Sequence, residues 1–187
     1  TKVQDADFPA DAFRDIGYHI AFCGQKAHAG VAIASREELA DVSCGLDDGG
    51  EPDPARLIRG RLRGVSLINT YVPQGQDADS PRFRYKLEWL ARLRQWFEHH
   101  HSPEQPLLWV GDFNVAPEPI DVHDPKALAK HVAFHPDVRA ALQHVKDWGF
   151  VDVFRQLHPD EVAYTFWDYR LKDAVDRNIG WRVDHIW

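Results

Sequence analysis

Apolar and polar positions repeat with two different periods along the chain, and the switches between them predict a series of strands and helices. Residues 17–23 and 30–34 read as short strands on either side of the turn Gly24-Gln25-Lys26. Residues 41–55, rich in Asp, Gly and Pro, predict a loop. Residues 65–72 form a β-rich run stopped by Pro73, and alternation puts Val65, Leu67, Asn69 and Tyr71 on one face. The period then lengthens. Phe83, Leu87, Leu90, Leu93 and Phe97 follow at spacings of four, three, three and four, the stripe of an amphipathic helix, which Pro103 and Pro106 close. Residues 107–110 are continuously apolar, as in a strand buried on both faces. A second helix is predicted from Pro136, a residue favoured at the first helical position, with Val138, Leu142, Val145 and Trp148 on one face and a stop at Gly149. Residues 151–154, 164–167 and 181–187 predict further short extended pieces.

Strands mixed with helices imply an α/β chain with sheet layers inside and helices outside. A length of 187 residues fits one domain, taken as residues 1–187. An apolar content of 44%, with 12% aromatic residues, supports a packed core and excludes a disordered chain. No apolar run approaches the roughly 18 residues of a membrane span, and no secretory leader opens the chain. A cytoplasmic protein is therefore expected, with Cys23 and Cys44 as two reduced thiols outside any Cys-x-x-Cys pattern. Neither glycine-rich phosphate loop is present, which argues against a dinucleotide-binding or P-loop enzyme. The net charge of −7 provides no broad basic surface for nucleic acid. Local patches remain at Arg56, Arg59, Arg61 and Arg63 and at Arg82, Arg84 and Lys86, either as phosphate contacts or as solvated faces. The run His99-His100-His101 reads as a solvated helix end.

The sharpest chemical signal is Gly111-Asp112-Phe113-Asn114 at the end of an apolar strand. Residues two apart on extended backbone share a face, so Asp112 and Asn114 project together. An acid beside an amide offers two hard oxygens to Mg²⁺, and the acid can also take a proton from water. A strand-ending Asx turn is the alternative. Tyr71, just before Val72-Pro73-Gln74-Gly75, reads as a core or rim aromatic. Asp184 stands in the apolar run Trp181-Arg182-Val183-Asp184-His185-Ile186, where an unpaired carboxylate costs on the order of several kcal/mol, so a partner is expected. His185 adjoins it on the opposite face as a structural or rim histidine. The aromatic stretch Thr165-Phe166-Trp167-Asp168-Tyr169-Arg170 can pack a core or stack on a base or sugar.

Taken in order, Gly24-Gln25-Lys26, Gly30-Val31-Ala32, Tyr71-x-Pro-Gln-Gly, Gly111-Asp-Phe-Asn, Phe150-Val-Asp-Val-Phe-Arg, Phe166-Trp-Asp-Tyr-Arg and Arg182-Val-Asp-His resemble exonuclease III, of the endonuclease/exonuclease/phosphatase superfamily. The resemblance runs the whole length. It implies a four-layer α/β/β/α sandwich with two central, mainly antiparallel sheets. It also implies a monomeric enzyme that hydrolyses phosphodiesters of double-stranded DNA, at abasic sites or from 3′ ends, with Mg²⁺ or Mn²⁺. Asp112 then matches the general base, also near the metal, and Asn114 the residue that steadies the phosphoryl oxygens. Tyr71 matches a tyrosine donating to the phosphate, Asp184 a carboxylate that orients a catalytic histidine, and Trp167 an aromatic near the abasic sugar. Arg56, Gln74 and Lys86 fall where the family contacts DNA. The metal set within the chain is Asp112 and Asn114. The family carries a Gln-Glu pair before the position of Thr1 and a Ser-Asp-His after that of Trp187, so the chain is expected to be an excerpt, incomplete at both termini and inactive or nearly so by itself. Two rivals share the signature: a phosphatase or phosphodiesterase acting on a lipid or inositol phosphate, and a non-catalytic DNA-binding module.

Overall fold

The alternating segments become strands in the computed structural model, which describes residues 2–26 and 29–187. The chain divides into two units, Thr1–Tyr71 with His100–Gly111 and Val72–His99 with Asp112–Trp187. The described residues form a mixed α/β fold. Among them no helix is long and apolar enough to cross a membrane.

In the first unit a short helix, α1 (Ala10–Arg14), precedes the antiparallel pair β1 (His19–Gly24) and β2 (Gly30–Ser35). Strands β3 (Ala40–Cys44), β4 (Leu57–Leu62), β5 (Val65–Tyr71) and β6 (Leu107–Asp112) lie side by side in that order. β3 pairs with β4, and β4 with β5, each pair antiparallel. Strand β3 overlaps the start of the segment expected to be a loop, residues 41–55. Its residues are mostly exposed, Asp41 has φ 53°, and the register shifts between Ala40 and Ser43, so no clean alternation survives in the sequence. Strand β4 was masked differently: Arg59 and Arg61 alternate with buried Ile58 and Gly60, so an arginine cluster is the outer face of a strand. On β5, Ile68 and Thr70 are fully buried, while Val65, Leu67, Asn69 and Tyr71 form a half-buried face. Strand β6 is not buried on both faces as expected. Trp109 is enclosed, with its indole N–H donating to the Thr70 hydroxyl at 2.8 Å, but Leu108 is exposed. Cys23 and Cys44 form a disulfide joining β1 to β3, with Cα atoms 6.4 Å apart. This corrects the expectation of two separate thiols; nothing in their spacing reveals that two strands bring them together.

In the second unit α2 (Pro81–His100) follows the predicted stripe but buries a wider one: Phe83, Lys86, Trp89, Leu90, Leu93, Trp96 and Phe97. Helix α3 (Pro136–Lys146) buries Val138, Leu142 and Val145, and its cap at Asp147 comes just before Gly149. The predicted extended piece at 151–154 is instead the start of α4 (Val153–Leu157), because the Asp152 carboxylate caps the turn by accepting from the Arg155 N–H at 3.1 Å. Strands β7 (Phe166–Trp167) and β8 (Gly180–Trp181) pair antiparallel, and β9 (Asp184–Ile186) follows after a break at Arg182 and Val183.

That break is a buried ionic knot. Arg182, 3% exposed at its side chain, grips Asp121 through Nε and Nη2 at 2.8 and 3.1 Å and Asp152 through Nη1 and Nη2 at 3.1 and 2.7 Å. Arg155 adds a second guanidinium to Asp121 at 2.6 Å. Burial works against the Arg182 charge, yet the bonds from the two carboxylates leave its pKa raised. Buried charges persist only when paired this completely.

Candidate active site

Strand β6 delivers the Gly-Asp-Phe-Asn motif, and its glycine is required by space. Gly111 has φ +124°, and a Cβ there would lie 2.1 Å from the Thr70 carbonyl oxygen and 2.5 Å from Asn69 Oδ1. Neighbouring β5 thus passes too close for any side chain, and the left-handed backbone adds strain to any other residue. Gly111→Ala is expected to cost about 3 kcal/mol or more; a denaturant midpoint unchanged from wild type would show that the two strands separate freely.

Immediately afterwards the backbone turns. Asn114 adopts φ 49°, the left-handed region that asparagine tolerates better than most residues. Its N–H donates to Asp112 Oδ1 at 2.8 Å, and its side-chain amide donates to the Val72 carbonyl at 2.8 Å. The Val72 N–H in turn donates to the Asp112 carbonyl at 2.9 Å. The Asx turn considered as an alternative is therefore present, and it presents the carboxylate rather than excluding it. Burial raises the Asp112 pKa to about 6, with the nearby Asp184 carboxylate adding to the rise; the Asn114 N–H and Lys86 pull the other way. A carboxylate poised in this way is a proton acceptor near neutral pH.

Asp184 couples to this group from β9, but it is exposed, not enclosed in an apolar strand as expected. The inward residues there are Arg182, Val183 and His185. The Thr165 hydroxyl accepts from the Val183 and Asp184 N–H groups, both at 3.1 Å, and so fixes the start of β9. His185 lies opposite and buried: Nε2 meets the Val115 carbonyl at 2.9 Å and Nδ1 meets Arg182 at 3.1 Å. Burial, then the Arg182 charge, lower its pKa to about 4. A neutral ring donating from Nε2 and accepting at Nδ1 satisfies both contacts.

The remaining sequence candidates separate. Lys86 cannot serve as a DNA contact: it is 0% exposed, and its ammonium donates to the Gln74, Asn114 and Val132 carbonyls at 3.2, 2.8 and 2.9 Å. Burial pulls its pKa down to about 7 while Asp112 acts against that. Three carbonyl acceptors favour the charged form, since a neutral amine carries only two N–H bonds. Gln74 is exposed, with Oε1 accepting from the Gln76 N–H at 2.8 Å. In the first unit, Arg56 pairs with Asp53 at 2.8 Å, donates to the Tyr71 carbonyl at 3.2 Å and lies over the Tyr71 ring at 5.3 Å. Trp167 is half-buried on β7 near Tyr164. Sequence reasoning missed the Arg182, Asp121 and Asp152 knot and the structural role of Lys86.

Among the described residues no group of three or more His, Cys, Asp or Glu is placed to hold a metal. Asp112 and Asn114 nevertheless offer hard oxygen donors, and the repulsion between Asp112 and Asp184 is what a divalent cation relieves. The pair fits such an ion as part of a ligand set.

The chain is similar to several known proteins. The model of the Endonuclease/Exonuclease/phosphatase family matches residues 1–187. The chain is similar to the solved AP endonuclease from Archaeoglobus fulgidus, at 51% identity and TM-score 0.97, over 100% of this chain and 72% of that one. It is similar to a Neisseria 3′ phosphatase solved with a product DNA hairpin, at 36% identity and TM-score 0.92, over 99% and 72% of the two chains. Exodeoxyribonuclease III of Haemophilus influenzae is 34% identical over 99% of this chain and 73% of its own length.

Proposed function

Because the chain belongs to the Endonuclease/Exonuclease/phosphatase family, we propose that it carries the chemistry of a DNA phosphodiester hydrolase that incises at abasic sites and trims 3′ ends, as a monomer using Mg²⁺ or Mn²⁺. The observation that carries this reading is the Asp112 carboxylate presented at the end of β6, where its Oδ1 accepts the Asn114 N–H at 2.8 Å and burial raises its pKa to about 6. Above that pH Asp112 is ionised and accepts the proton of an attacking water. The Asn114 side chain, anchored on the Val72 carbonyl while its backbone N–H holds Asp112, is the group proposed to steady charge on the phosphoryl group. A divalent cation held with help from Asp112 and Asn114 would supply polarisation of a phosphoryl oxygen. Asp184 adds negative charge to the same group and Trp167 offers an aromatic surface for an unpaired sugar. The activities of the similar proteins, exodeoxyribonuclease III, AP endonuclease and 3′ phosphatase, support DNA over other phosphate esters.

The test is competition. Hydrolysis of labelled abasic duplex is followed with unlabelled duplex or an inositol phosphate added in excess. Inhibition by duplex alone is expected. Inhibition by the inositol phosphate alone would move the assignment to a phosphatase of the same family.

A further inference from the structure

We infer that Lys86 is a positioning residue for the Asp112–Asn114 pair, an inference that rests on the nuclease reading. One ammonium collects the carbonyls of Gln74, Asn114 and Val132, which come from separate stretches of the chain. Of these, the Asn114 bond matters most. Asn114 is the left-handed residue of the motif, and its carbonyl belongs to the peptide that follows the turn. Its N–H holds Asp112 Oδ1 and its side chain holds Val72. The N–H, the side chain and the carbonyl of Asn114 are thus all bound, which holds in place the donor on which the carboxylate rests. Lys86 supplies the third of those restraints.

The glycine of Tyr71-x-Pro-Gln-Gly belongs to the same device. Gly75 has φ +100°, and a Cβ there would press on Lys86 Cδ at 3.2 Å and on Val132 and Phe83 at 3.5 Å. The loop after β5 therefore closes down on the lysine stem. The Val132 side is tied back in turn, because the Ala116 N–H donates to the Ala133 carbonyl at 2.8 Å. The lysine thus sits where two loops and the catalytic turn meet, and removing its three donors leaves three carbonyls without that partner.

Lys86→Met keeps most of the stem and removes the donors. Leu93→Ala, a cavity on the same helix at a fully buried site, serves as the control for lost stability alone. Both variants, made in the protein that carries this chain, are compared with its wild type for kcat and KM on abasic duplex, and for amide exchange across residues 112–116. Lys86→Met is expected to lower kcat roughly a hundredfold with KM held within about threefold. Exchange at 112–116 should quicken about tenfold in that variant and stay unchanged in Leu93→Ala. A Lys86→Met enzyme with the kcat of Leu93→Ala overturns the inference. If wild type cleaves no DNA, the nuclease reading fails separately, and the exchange rates alone decide: faster exchange in Lys86→Met supports positioning, and equal exchange refutes it. Should Lys86→Met not fold, Lys86→Gln is judged by the same criteria.

Discussion

Asp112→Asn is expected to lower kcat about a thousandfold and, at the same time, to make the folded protein more stable at about pH 8. The loss follows from removing the proton acceptor while keeping the shape: an amide oxygen still accepts the Asn114 N–H, so the turn survives. The gain follows from linkage. The Asp112 pKa is raised from 3.8 to about 6 in the folded chain. A raised carboxylate favours the fold fully below its unfolded pKa, and that contribution is lost as pH rises through the folded value. At about pH 8 the ionised group therefore costs stability, roughly 2 kcal/mol after allowing for its partial exposure. Asparagine removes that cost, and the variant's stability should rise less steeply as pH falls from about 6 to about 4. Steady-state kinetics and urea unfolding at several pH values check both halves. An inactive variant that is also less stable at high pH would show Asp112 to be a structural carboxylate.

Arg182→Met is expected to cost about 3–5 kcal/mol, because Asp121 and Asp152 stay buried after their shared guanidinium is removed. For a chain of this size that lowers Tm by about 10 °C. Added salt should not restore it, since buried pairs are poorly screened. Arg170, whose bond to Asp168 faces solvent, makes the contrast: Arg170→Ala should leave Tm unmoved. Thermal unfolding of the two variants side by side is the measurement, and equal losses would mean the knot is no stronger than a surface pair.

The sequence was most informative where one physical demand dominated. Phe83, Leu90, Leu93 and Phe97 of the predicted helix stripe are buried as the spacing requires, while Leu87 at its edge is half-buried. Strand β5 and the Pro136 start of α3 were equally legible. Strand β4 was hidden because arginines at every second position read as a charged patch, although alternation with Ile58 and Gly60 carried the strand signal. Lys86 was misread for the same reason. It stands in a run of basic residues, yet it lies three after Phe83 and four before Leu90, on the apolar stripe itself. That spacing was the available clue, and charge outweighed it.

At the site, the Asx turn of Gly111-Asp112-Phe113-Asn114 was legible because it is a local property, whereas the close approach of Gly111 to Thr70 and Asn69 on β5, and the left-handed backbone that takes Asn114 off the strand, were not. The partners of Arg182 could not be read this way. Asp121 and Asp152 lie 61 and 30 residues from it, and only the folded chain brings them together. The Cys23–Cys44 bridge was invisible on the same ground.

The most direct measurement is incision of a labelled duplex bearing one abasic site, with Mg²⁺ and with EDTA, by the protein that carries this chain and by its Asp112→Asn variant. Incision by wild type with Mg²⁺, none with EDTA and almost none by the variant is the expected result. Undiminished incision by Asp112→Asn would place the catalytic group elsewhere, and no incision by a pure, folded wild type would remove the assignment to DNA.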